Sequence, residues 1–118
     1  NVTFICESPS FEELAHYIRK SAFVLAPYCP DSVLSSGILM DSLSFGSKII
    51  GPEVGSFKDY AREKRLNVYT FHDYEDIEKT VACYKTTPIS LEDYRSFLDE
   101  NNWEHFGNRI IKLVKSLK

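Results

Sequence analysis

Cysteine is scarce here: Cys6, Cys29 and Cys83 are the only three in 118 residues. An odd number at such wide spacing fits neither a disulfide framework nor a zinc site. Free thiols in a reducing compartment follow, so the expected location is cytoplasmic. Long apolar runs are missing too. Nothing approaches the roughly 20 residues that a membrane span needs, and nothing at the start has the layout of a signal peptide. Positive charge is not in excess either, with 14 basic against 17 acidic residues and a net charge of −3. That balance argues against a nucleic-acid partner held mainly by charge. Neither a G-x-G-x-x-G nor a Walker A pattern occurs, so ordinary dinucleotide and ATP-phosphate loops are not indicated. His16, His72 and His105 form no His-x-x-x-His pair and no acid–His–nucleophile order, so neither a metal centre nor a catalytic triad is expected.

What is present is an alternation of β-rich runs and amphipathic stretches, the pattern of an α/β domain. Four strands are expected, at Val2–Ile5, Ala22–Ala26, Lys48–Ile50 and Asn67–Phe71. Ala22–Ala26 is apolar throughout, as in a strand buried on both faces of a parallel sheet. Helices are expected from Ser10, where Glu13 completes a capping box, and from Ser35-Ser36-Gly37 to about Phe45, with Gly46 as the stop. Further helices should start at Ser56, Asp73, Ser90 and just after Asn102. The last carries Trp103, Phe106, Ile110, Leu113, Val114 and Leu117 on one stripe. Burying such a side chain is worth about 1.5–3 kcal/mol, so the stripe should pack on this domain or on a partner. Residues 1–118 thus read as one Rossmann-like domain, an open, mostly parallel sheet with helices on both faces.

Ligands of such sheets sit outside the carboxyl ends of the strands. At one of those ends Ser35-Ser36-Gly37 opens a helix, whose unpaired N–H groups and partial positive charge suit a phosphate. Serines at a helix start also serve as ordinary caps. Gly51 to Ser56 forms a second turn of this kind, with Gly51 and Gly55 as its glycines. Asp41 lies one turn inside the helix, where a carboxylate can reach ligand hydroxyls beside a phosphate at the helix start. Cys6, Glu7 and Ser8 follow the first expected strand and would face a ligand held at the adjacent carboxyl-end loop.

The segments "SAFVLAPY" and "SSGILMDSLSFGSKIIGPEVGSFKDY", together with "NVTFI" and "NNWEHFGNRIIKLVKSL", resemble the donor domain of retaining glycosyltransferases with the GT-B fold. The resemblance covers nearly the whole chain and rests on the order of its pieces. It implies a domain binding the nucleotide sugar used in polysaccharide or glycolipid synthesis, with the diphosphate at Ser35, Ser36 and Gly37 and the ribose at Asp41. The first carboxylate of the family's pair, the sugar-facing one, should fall at Val33; Asp31 lies two residues away. The family's phosphate-gripping Arg and Lys, and its N-terminal acceptor domain, have no counterpart in these residues, so the isolated chain should be inactive. No metal cofactor is expected, because helix starts and basic side chains neutralise the leaving diphosphate. Lys112, Lys115 and Lys118 read most simply as a solvated helix end, and the C-terminal stretch leaves two further partners open, a second copy of the chain or anionic lipid headgroups met peripherally. A non-catalytic α/β module that has kept the fold and lost the donor chemistry is the alternative reading.

Overall fold

A computed structural model describes residues 1–29, 31 and 36–118. Its elements are α1 (Phe11–Lys20), β1 (Val24–Leu25), α2 (Gly37–Ser44), β2 (Ile49–Pro52), α3 (Gly55–Ala61), β3 (Val68–Phe71), α4 (Asp76–Tyr84), α5 (Leu91–Glu100) and α6 (Trp103–Ser116). Among the described residues the sheet has three strands in the order β1-β2-β3, all parallel.

The helices begin where the residues supply an acceptor for the first unpaired N–H groups. Ser10 and Glu13 form the reciprocal capping box of α1, with the Ser10 N–H donating to Glu13 Oε2 at 2.8 Å. These bonds favour the charged form and hold the Glu13 carboxyl below its ordinary value. Ser90 and Asn102 cap α5 and α6 through their side chains alone, accepting from the Asp93 and His105 N–H groups. Gly46 stops α2 at φ +65°, and the N–H groups of Gly46 and Ser47 reach back to the carbonyls of Leu43 and Ser42. That is a Schellman ending, and it needs the left-handed residue that glycine provides. Two starts differ from expectation. α3 begins at Gly55 after an N-cap Val54 rather than at Ser56. α4 begins at Asp76, whose carboxylate accepts from the Asp73 N–H, so Asp73 is not the cap.

Side chains alternate across the sheet. Ile49 and Gly51 of β2, paired with Val68 and Thr70 of β3, face α2 and α3. There Ala26, Leu39, Ile49, Phe57, Leu66 and Val68 form the core. Having both crossover helices on one face follows from right-handed β-α-β connections taken in sequence order. Tyr69 points to the other face, where its ring stacks on Tyr84 of α4 at 4.1 Å. Lys48, also on that side and buried, donates from Nζ to the carbonyls of Tyr84 and Lys85. A cation at a helix C-terminus is favourable because the last carbonyls lack partners.

The α5 helix closes the amino end of the sheet. The Tyr94 hydroxyl donates to the Leu43 carbonyl, and Arg65 reaches both Glu63 and Glu100 at 2.9 Å. The Arg65 guanidinium donates to the Glu63 carboxylate from two of its nitrogens, which pulls the Glu63 carboxyl down to about 2. A depressed carboxyl contributes stability above its unfolded value, near 4.5, and loses it as the pH falls towards about 2. Arg65→Met should therefore return the Glu63 pKa towards 4.5, as read by carboxyl NMR titration. An unchanged titration would remove the guanidinium as the cause.

Two sequence expectations about the strands are corrected. Val2–Ile5 is not a strand: its residues are exposed, Phe4 at 86%, and pair with nothing in the sheet. A β-prone run without a neighbouring edge gains no ladder bonds, and water satisfies its backbone equally well. The Ala22–Ala26 run shortens to two strand residues and is not buried on both faces, since Leu25 is 46% exposed. Of the two covers expected for the α6 stripe, the domain itself supplies none among the described residues: Trp103 is 85% exposed and Leu117 78%. The longest dimension of the molecule, α6 included, reaches 60 Å.

Candidate functional site at the carboxyl ends of the strands

Each crossover leaves the sheet at a carboxyl end, so α2 and α3 both start on that side, after the neighbouring strands β1 and β2. Ser36 is the N-cap of α2 and is buried; its Oγ accepts from the Leu39 N–H at 3.3 Å and donates to the Tyr28 hydroxyl at 3.4 Å. The serine hydroxyl is therefore engaged within the protein. The N–H groups of Gly37 and Ile38 are a different matter, because they precede any acceptor within the helix. Gly37 is exposed, and a Cβ built there would meet no atom within 4 Å. Asp41 lies one turn along α2, half-buried, and among the described residues its carboxylate makes no hydrogen bond or ion pair.

Gly55 opens α3 with φ +51°. Of the two glycines in the Gly51–Ser56 turn, only this one has a left-handed backbone. Gly51 lies inside β2 with ordinary φ, and its missing side chain makes room for the Phe57 ring. Gly51 is thus a packing residue rather than part of a cradle.

Four residues that the sequence did not single out, or only touched on, complete the mouth. Tyr28 lies beside the Phe57 ring, with centroids 6.3 Å apart. The Glu53 N–H donates to the Phe71 carbonyl at 3.0 Å, tying the end of β2 to β3. The Glu53 carboxylate stands 4.0 Å from His72 Nδ1, an exposed and weak pairing. Tyr74 packs on Phe71 and donates from its hydroxyl to the Pro27 carbonyl at 3.3 Å, so it lies across the strand ends on the α4 side. A cavity of about 140 Å³ opens there, lined by Phe71, His72, Asp73 and Tyr74. Position was the available signal for these four: each directly follows a strand, or falls within four residues of its end.

Other expected site residues are not brought to this mouth. Cys6, Glu7 and Ser8 are exposed in a segment that adds no strand. Phe11, which opens α1, packs on Phe45 with ring centroids 5.6 Å apart. Phe45 caps the far end of α2, about 12 Å of helix away from Gly37. Asp31 is exposed, in the loop region between β1 and α2. Ser35 and Val33 lie outside the described residues. Among the described residues no group of three His, Cys, Asp or Glu side chains is arranged to hold a metal ion. Family models, curated proteins and solved structures yield no match to this chain. The site is therefore read from its own geometry.

A larger cavity of about 380 Å³ lies along the free edge of β3, lined by Leu66 to Thr70 together with Tyr84, Thr87 and Pro88. It runs beside the strand and its amino end and reaches the start of α5 at Ser90 and Asp93, away from the starts of α2 and α3.

Proposed function

We propose that this chain is the donor-binding domain of a sugar-nucleotide-dependent glycosyltransferase with the GT-B fold, serving polysaccharide or glycolipid synthesis. In this reading the diphosphate lies at the start of α2, against the N–H groups of Gly37 and Ile38, with Gly55 on its α3 side. Asp41 accepts hydrogen bonds from the ribose hydroxyls. The acceptor is held by a second, N-terminal domain outside these 118 residues, so the chain alone transfers no sugar. No metal is required, because the helix start carries the stabilisation of the leaving diphosphate.

The observation that supports this most is the open approach to Gly37, where neighbouring helix starts leave the same edge of a parallel sheet. Asp41 adds to it, since a half-buried carboxylate one turn from that start has no partner among the described residues. Titration of the purified chain with uridine and guanosine diphosphates, followed by amide NMR, tests the reading. Weak binding is expected, with shifts at Gly37, Ile38, Asp41 and Gly55. Shifts confined to the amino end of the sheet, near Lys48 and Arg65, would overturn the assignment.

A second reading is favoured by the Ser36 hydroxyl, which Leu39 and Tyr28 already occupy, and by Val33 in place of an acidic residue. The chain would then be a non-catalytic α/β module that has lost the donor chemistry. No shift with either diphosphate at millimolar concentration would decide for it.

A further inference from the structure

The α6 helix has a use that donor binding does not draw on. Advancing by about 100° per residue, Phe106, Ile110, Leu113, Val114 and Leu117 fall within one sector with Trp103, while Lys112, Lys115 and Ser116 fall opposite. The apolar sector stays uncovered: Trp103, Phe106, Ile110, Leu113 and Val114 are all exposed, and among the described residues the Trp103 and Phe106 rings pair with each other alone, edge to face at 5.6 Å. Charge is divided just as unevenly along the chain. Residues 103–118 carry Arg109, Lys112, Lys115 and Lys118 against Glu104, a net charge of +3, whereas the first 102 residues carry −6. Arg109 donates to the Glu100 carbonyl, anchoring the start of α6 to the end of α5. Lys112, Lys115 and Lys118 form no ion pair among the described residues.

We infer that α6 is a surface anchor that lies in the headgroup layer of an anionic membrane, with the Trp103–Leu117 face in the acyl boundary and the lysines on anionic lipid. An aromatic and leucine face opposite a lysine-rich face is the composition such interfacial helices use. Spanning is excluded by length, because α6 is about 21 Å long and no described helix is long and apolar enough to cross a membrane. A second copy of α6 is the less fitting cover. The spacing of Trp103, Phe106, Ile110, Leu113 and Leu117 gives only two heptads, short of the roughly three to four that a coiled coil sustains. The positions flanking that seam, Gly107, Arg109, Val114 and Ser116, offer no acid to pair with a facing base. Two such helices side by side would bring their basic residues together, while an anionic surface would neutralise them. The acidic remainder of the chain is repelled by the same surface, so attachment is confined to α6 and leaves the strand ends free.

Trp103 is the only tryptophan, so its emission reports on α6 alone. The full chain is mixed with vesicles of phosphatidylcholine, with or without phosphatidylglycerol, and both pelleted protein and Trp103 emission are followed. Binding with a blue shift is expected on the phosphatidylglycerol vesicles, weakening as salt rises. Each lysine near an anionic surface contributes about fivefold, so Lys112→Gln with Lys115→Gln should lower partitioning by about 30-fold. Leu113→Ser should lose the blue shift while its circular dichroism matches wild type, since Leu113 is exposed in the free chain. Equal binding to neutral vesicles would overturn the proposal, as would no binding to either kind. A blue shift that grows with protein concentration in the absence of vesicles, with a dimer in sedimentation, would overturn it in favour of a second copy.

Discussion

Phe57→Ala is expected to unfold this domain or bring it to the edge of unfolding. The ring is fully buried at the centre of the core, between β2, β3 and α2. Deleting such a ring costs about 3–5 kcal/mol in transfer and cavity terms. Small domains hold about 5–15 kcal/mol in all, and this one builds its core on only three short strands. Gly51→Ala should be harmful for the opposite reason. A Cβ there would overlap Cδ1 and Cε1 of the Phe57 ring, and overpacking of this kind costs about 1–3 kcal/mol or more. The two changes should not add. With the ring gone, the new methyl enters the cavity, so Gly51→Ala should cost far less in the Phe57→Ala background than in wild type. Urea unfolding of the four proteins measures this coupling, and simple additivity would mean that ring and glycine do not meet. Because Phe57→Ala lies close to the stability limit, Phe57→Leu serves as a milder second background.

Gly37→Leu should have the opposite profile, with the fold kept and the ligand lost. Its Cβ would enter open space and its φ is not left-handed, so nothing in the chain resists the side chain. Removing glycine's freedom in the unfolded chain even adds about 0.4–1 kcal/mol of stability at such a site, as measured for small replacements. A diphosphate against the N–H groups of Gly37 and Ile38 would meet that side chain, so affinity should fall by about tenfold or more, equivalent to about 1.4 kcal/mol. Ser36→Ala is a poorer probe. Its hydroxyl caps α2, so the change costs about 1 kcal/mol of helix stability whether or not a ligand binds there. Asp41→Ala should weaken binding through the ribose and leave the unfolding midpoint nearly unchanged. Diphosphate titrations alongside thermal unfolding of Gly37→Leu separate the two effects. Full affinity in that variant would remove the ligand from the start of α2.

The donor-binding reading and the membrane anchor stand apart, because they use different elements, α2 and α3 for the one and α6 for the other. Loss of vesicle binding in the lysine variants would leave the diphosphate titration intact, and the Gly37 variant would still pellet with anionic lipid.

Local chemistry was legible in the sequence wherever it acts over three or four residues. Ser10 with Glu13, Ser36, Ser90 and Asn102 announce helix starts because a short polar side chain satisfies an N–H two or three residues on. Gly46 announces a helix end because only glycine takes φ +65° without strain. The parallel α/β class followed from strand and helix runs taken in turn, and with it the side of the sheet where crossover helices begin. The tertiary structure decided whatever depends on a neighbour. Val2–Ile5 has the residues of a strand, but no edge is there to pair it. Gly51 looked like a turn glycine, and only the fold brings Phe57 against it. Trp103 to Leu117 form an apolar face whatever surrounds them, yet a helical pattern carries no address for what it meets. The fold leaves that face bare because a helix pattern is set by residues four apart, while burial is set by elements that are distant in the chain.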